Sequence, residues 1–251
     1  MHIYFDKEQV SFNEAIDKYH LDEFKSPFRS TIPLLDMIRN GQSLISRIEQ
    51  ELGICGNISY HLEYEVKPQF GRGNASHTDL MITNHDKALA IEAKWTEKRY
   101  VAVADWIKKG KNQANRIAVL QGWINYLQPF SPKTLSIEDL SVQVYQMVHR
   151  AASVCSFTTK PILAYMQFTE TLKQNNDSYI FNDLTSFWNK LGNPENLLFY
   201  SIQVLLERNP AFRKIENLKK GSLKTRGKVR DALLSGEKLF EFTDCKVAQI
   251  K

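Results

Sequence analysis

The chain has 251 residues, with 33 Lys and Arg against 28 Asp and Glu and a formal net charge of +5. Hydrophobic residues make up 43% and charged residues 24%, ordinary globular proportions that exclude a disordered or fibrous chain. No apolar stretch approaches the ~20 residues of a membrane-spanning helix, so no membrane partner is expected. The opening MHIYFDKEQ turns acidic and polar at once, unlike a secretory leader, and a cytoplasmic location is expected.

The elements follow in chain order. Ser11 and Glu14 form a capping-box pattern ahead of a short helix over about 12–24, and Pro27 ends it. A second helix starts at Pro33, with an apolar stripe through Leu34, Leu35, Ile38, Ile45, Ile48 and Leu52; Asn40-Gly41 is a candidate interruption. NISYHLEYEVKP (57–68), HTDLMIT (77–83) and ALAIEAKW (88–95) are strand-like and joined by turns, an antiparallel meander. Residues 101–127 read as helix with a break at Gly110, and another helix is expected over 138–155. PILAYMQF (161–168) and LLFYSIQVLL (197–206) are nearly continuous apolar runs, as buried strands require. The expected fold is a single α/β domain over 1–251, its mixed central sheet flanked by helices. Residues 1–30 are read as an N-terminal helical extension and about 207–251 as a basic C-terminal annex.

Positive charge is concentrated. Residues 213–230 hold eight Lys and Arg against one Glu, which suggests a polyanionic partner or a solvated helix face. A second basic stretch, Lys94 to Arg116, holds seven Lys and Arg against two acids. Cys55, Cys155 and Cys245 are too far apart in sequence for a zinc ribbon. The GSLKTRGK stretch at 221–228 fails as a phosphate loop, because it has one residue too many between its glycines and Val229 stands where a Ser or Thr is needed.

Asp79, Glu92 and Lys94 carry the chemical signal. Strand alternation puts Glu92 and Lys94 on one face and Leu89, Ile91 and Ala93 on the other. A tight turn within 84–87 pairs 83 with 88, and the same register sets Asp79 opposite Glu92. Opposed residues have Cβ atoms about 4.5–5.5 Å apart. Two carboxylates so placed repel each other and are suited to sharing a divalent cation such as Mg²⁺. Glu-x-Lys occurs at 23–25, 65–67 and 92–94, but only the third combines an apolar strand with a facing aspartate.

Thr78-Asp79, twelve intervening residues and Glu92-Ala93-Lys94 resemble the PD-(D/E)xK nuclease superfamily, with Thr78 where its proline often stands. The family core is a helix, a three-strand meander, a crossover helix and a further strand (αβββαβ), an order that residues 33–168 can follow. The resemblance implies a restriction-endonuclease-like fold and Mg²⁺-dependent phosphodiester hydrolysis, Mn²⁺ substituting, that leaves 5′-phosphate and 3′-hydroxyl ends. It implies Asp79 and Glu92 as metal ligands, with the Ala93 carbonyl, and Lys94 as the group that positions or activates water. A glutamate of the first core helix, Glu49 or its neighbour Glu51, would join the metal; the alternative is a surface carboxylate. Gln113 would be the polar residue facing the site from the following helix. His77 either supports the site or is an ordinary strand histidine.

The substrate implied is nucleic acid, DNA in the first instance, cut internally in restriction, defence or DNA processing; a homodimer is compatible with this. Arg72 between Gly71 and Gly73, Lys108, Lys109 and Lys111, and Lys219, Lys220, Lys224, Arg226 and Lys228 are the candidate phosphate contacts. Trp95 and Trp106 are read as packing residues. The alternative function is a catalytically inactive nucleic-acid-binding or complex-forming protein on the same fold.

Overall fold

The computed structural model describes residues 2–175 and 178–251. Eight strands form one mixed sheet: β1 (His2–Phe5), β2 (Glu8–Gln9), β3 (Ser59–Val66), β4 (Ser76–Thr83), β5 (Ala88–Lys94), β6 (Pro161–Thr169), β7 (Leu198–Arg208) and β8 (Phe240–Gln249). Their spatial order is β2-β1-β3-β4-β5-β6-β7-β8. The β3-β4-β5 meander is antiparallel, β5, β6 and β7 run parallel, and β8 is antiparallel to β7.

The helices are α1 (Phe12–Lys18), α2 (Thr31–Asn40), α3 (Gln42–Glu51), α4 (Val103–Lys108), α5 (Gln113–Leu127), α6 (Ile137–Leu140), α7 (Tyr145–Cys155), α8 (Tyr179–Lys190), α9 (Pro210–Arg213) and α10 (Leu223–Leu234). They cover both faces of the sheet. One core packs Ile38, Ile45, Ile48, Val229 and Leu233 against Leu80, Ile82, Leu89 and Ile91. The other packs Leu120, Trp123, Val148, Ala152 and Leu184 against Met81, Ala88, Ala90 and Leu163. Burial on both faces explains why β5 reads as an apolar run in which each exception is conspicuous.

Several expected elements divide. The helix over 12–24 is α1 plus a 3-10 turn at Leu21–Phe24, and the capping box of Ser11 and Glu14 is formed. The helix from Pro33 to Leu52 is two helices meeting at Gly41, where a Cβ would stand 2.9 Å from the Met37 side chain and 3.0 Å from Phe242. Residues 138–155 give α6 and α7. The N-terminal stretch is not purely helical, since β1 and β2 extend the sheet edge, β1 lying parallel to β3. The C-terminal annex contributes β8, unanticipated although FEFTDCKVAQ is compatible with an edge strand exposed on one side.

The β4–β5 turn has the anticipated register, with Thr83 paired to Ala88 and Leu80 to Ile91. Asn84 fixes it, its Oδ1 accepting from the backbone N–H groups of Asp86 (3.0 Å) and Lys87 (2.7 Å).

Candidate active site

Past the Leu80–Ile91 pair the hairpin departs from a regular ladder. Asp79 Oδ2 accepts a hydrogen bond from the Ala93 backbone N–H at 2.8 Å. The N–H and C=O of one strand residue point the same way, so the Ala93 carbonyl also faces the β4 side. Asp79 remains half-buried and lines a cleft of about 310 Å³ with Glu63, Glu92, Lys94, Gln146 and Arg150 among its other walls.

Glu63 is the carboxylate that sequence reasoning missed. It sits in β3 with φ +52°, a left-handed conformation uncommon for a residue other than glycine. The strand changes phase there: Tyr60 and Leu62 face one core, Tyr64 and Val66 the other. Strain of this kind persists where the surroundings enforce it and concentrates at functional sites. Burial, then the adjacent Asp79 and Glu23 carboxylates, push the Glu63 carboxyl up to about 9. Burial and the Glu92 charge push Asp79 up to about 7. These two acids lack sufficient compensating positive charge.

Glu92 is in the opposite condition. Its Oε1 accepts from Lys94 Nζ and from Gln146 Nε2, each at 2.6 Å, and its Oε2 accepts from Arg150 Nε. Burial alone would raise the Glu92 carboxyl, but the Arg150 guanidinium and the Lys94 ammonium outweigh it and hold the group below its usual range. Arg150 also donates from Nη1 to Ser76 Oγ at 2.7 Å. Gln146 and Arg150 lie one helical turn apart on α7, a spacing that puts them on one face. The readable signal was that i, i+4 pair on an otherwise buried helix, but nothing local assigned α7 to this cleft.

The other anticipated residues fall as follows. Glu49 lies on α3 and is buried, but its carboxylate accepts from the Tyr60 hydroxyl and does not line the cleft. Gln113 is exposed at the start of α5 and does not line the cleft; Gln146 takes the place expected of it. His77 does line it, with Nδ1 3.8 Å from Glu63 and 3.6 Å from Glu65. Trp95 packs among Phe28, Phe212 and Phe240. Among the phosphate candidates, Lys108, Lys109, Lys111, Lys219, Lys220, Lys224 and Lys228 are exposed, whereas Arg226 is paired with Asp22. Helix α10 packs on the 3-10 turn whose Glu23 lines the cleft, so the basic annex borders the site. Arg72 is tied to α5, its backbone N–H donating to Asn115 Oδ1 and its C=O accepting from Asn115 Nδ2, each at 2.7 Å.

Among the described residues, no three carboxylate, imidazole or thiol groups close into a ligand shell. Glu92 is engaged by Lys94, Gln146 and Arg150. The residues present nevertheless fit a hard cation: Mg²⁺ takes one or two carboxylates and keeps several waters, and Asp79 and Glu63 offer cleft-lining oxygens that Arg150 and Lys94 compensate only in part.

A family model described as a domain of unknown function, DUF6946, matches residues 11–204. The chain belongs to the DUF6946 family. No curated protein and no solved structure matches it. Every residue of the cleft described above falls within the DUF6946 match, whereas the basic stretch 213–230 falls outside it.

Proposed function

We propose that this protein is a Mg²⁺-dependent nuclease, hydrolysing phosphodiester bonds in nucleic acid, DNA in the first instance, on a restriction-endonuclease-like core. The observation that carries the reading is the convergence of Glu63, Asp79, Glu92 and Lys94 in one cleft. A fold needs no such cluster for stability, since clustered buried acids cost free energy unless a cation compensates them. The order α3, then the β3-β4-β5 meander, then α5 and α7, then β6 is compatible with that core.

Asp79 and Glu63 would hold the ion, with the Ala93 carbonyl turned to the same side. The ion, when bound, lowers the pKa of a coordinated water and stabilises charge developing on a phosphoryl oxygen. Lys94 stands between Glu92 and the open cleft, its side chain 15% exposed; its ammonium, raised against burial by Glu92 and Asp79, stays charged to orient water or a phosphate oxygen. Arg150 and Gln146 are positioning residues that fix Glu92 and, through it, Lys94. Mn²⁺ satisfies the same oxygen ligands.

The test is incubation of the purified chain with supercoiled, linear and single-stranded DNA. Cleavage with Mg²⁺ or Mn²⁺ and none with EDTA is expected; no cleavage of any substrate with either metal would remove the proposal.

A further inference from the structure

A second cleft, of about 380 Å³, adjoins the first and has the opposite character. Among the described residues, no carboxylate lines it. Its charged walls are Arg72 and Arg116, and its aromatic walls include Tyr100 and Trp106. Trp106 stacks on Tyr145, with ring centroids 3.7 Å apart and planes 11° apart, and the Arg116 guanidinium stands 4.7 Å from the Trp106 ring centroid. Tyr100 is 46% exposed, with ring area free for a ligand. The two clefts share a wall: Tyr100 lines both, and Arg150 donates to Ser76 of the second and to Glu92 of the first. The volume lies in the ~300–1,000 Å³ range of small-molecule sites.

A ligand that fits the second cleft has a flat ring to stack on Tyr100 and Arg116 and an anion for Arg72. Tyrosine rings and arginine planes are the usual platforms for splayed nucleobases. We propose that this cleft is a subsite for one unpaired nucleotide of the substrate, its base against Tyr100 and Arg116 and its phosphate on Arg72. The proposal rests on the nuclease reading and narrows it, because a base stacked in a duplex cannot enter such a cleft. The preferred substrate is then a single strand, a flap or a site with one flipped residue. The strand would leave a cationic cleft and pass into an acidic one, where its next phosphate is repelled unless a divalent cation is present.

Binding is measured on the full chain in EDTA, by tryptophan fluorescence or calorimetry, with deoxyadenosine 5′-monophosphate and inorganic phosphate as probes. The mononucleotide is expected to bind the wild type and Asp79→Asn alike, and to bind Tyr100→Ala about tenfold more weakly. No mononucleotide binding, or equal binding of phosphate alone with no effect of Tyr100→Ala, would overturn the proposal. Mononucleotide binding without any metal-dependent cleavage would support the subsite and remove the nuclease reading instead. In the cleavage assay, single strands and flaps should react faster than blunt duplex; a preference for blunt duplex would overturn the proposal.

Discussion

Arg150 on α7 and Glu92 on β5 close an ion pair between helix and sheet, Arg150 Nε donating to Glu92 Oε2 with side chains only 9% and 3% exposed. The pair sets the order of the site. Glu92, fully engaged, anchors Lys94, while Asp79 and Glu63 remain open to the cleft.

Breaking that pair from one side should be costly. Arg150→Ala leaves Glu92 buried and short of its main counter-charge, and should destabilise the fold by about 3–5 kcal/mol. Adding Glu92→Gln should recover much of that loss, measured by urea unfolding. Equal stability of Arg150→Ala and the wild type would contradict the role given to the pair. Glu92→Ala strands Arg150 in the same way, so Asp79→Asn and Lys94→Ala are the better probes of chemistry.

The uncompensated acids predict a pH dependence. From ordinary values of 4.5 and 3.8, Glu63 and Asp79 are raised to about 9 and about 7 in the fold. Above pH 6.5 the unfolded chain has released both protons, while the native state still holds that of Glu63 up to about 9 and that of Asp79 up to about 7, so stability falls as pH rises from 6.5 to 8. His61 and His149, both depressed from 6.5 by burial first, act in the opposite sense, chiefly below pH 6.5 and fading above it. Thermal midpoints in EDTA should decline across it, and Mg²⁺ or Glu63→Gln should flatten the decline. A slope unchanged by either would show that these carboxyls are not the source.

The left-handed backbone at Glu63 makes a separable prediction. Asparagine tolerates that conformation better than glutamate does. Glu63→Asn should therefore keep stability within ~1 kcal/mol of the wild type or raise it, since the αL cost is about 1–2 kcal/mol, while metal affinity by calorimetry falls. Strong destabilisation with unchanged metal affinity would contradict the assignment.

Much of this site was legible and part was not, for identifiable reasons. The tight turn at Asn84 fixed the β4–β5 register, so Asp79, Glu92 and Lys94 could be brought together from spacing alone. Nine residues separate β3 from β4, so no register could be read there; the positive φ at Glu63 also breaks the alternation on which face assignment depends. Gln146 and Arg150 reach the cleft only because α7 packs across β4, β5 and β6, a long-range fact with no local signature. Glu49 failed because its carboxylate is taken up by the Tyr60 hydroxyl in the core, away from the cleft lining. The strands at the two ends of the sheet, β2 with its neighbour β1 and β8, are short or polar on one face and gave no apolar run.

The loop that carries Arg72 lies close against α5. A Cβ on Gly122 of α5 would lie 2.5 Å from the Phe70 backbone nitrogen and 2.8 Å from that of Gln69. Gly122→Ala should push the loop off α5 and cost about 1–3 kcal/mol, and it should weaken mononucleotide binding without changing Mg²⁺ affinity. Full retention of both stability and nucleotide binding would contradict the loop's role.

The most direct measurement compares the rate of supercoiled DNA nicking by the wild type and by Asp79→Asn in the same Mg²⁺ buffer. Mg²⁺-dependent nicking by the wild type, abolished by EDTA, is expected, with a loss of about 10²-fold or more in Asp79→Asn, Lys94→Ala similarly impaired and both variants folded. Nicking by Asp79→Asn at the wild-type rate, or nicking by the wild type that persists in EDTA, would contradict the nuclease reading.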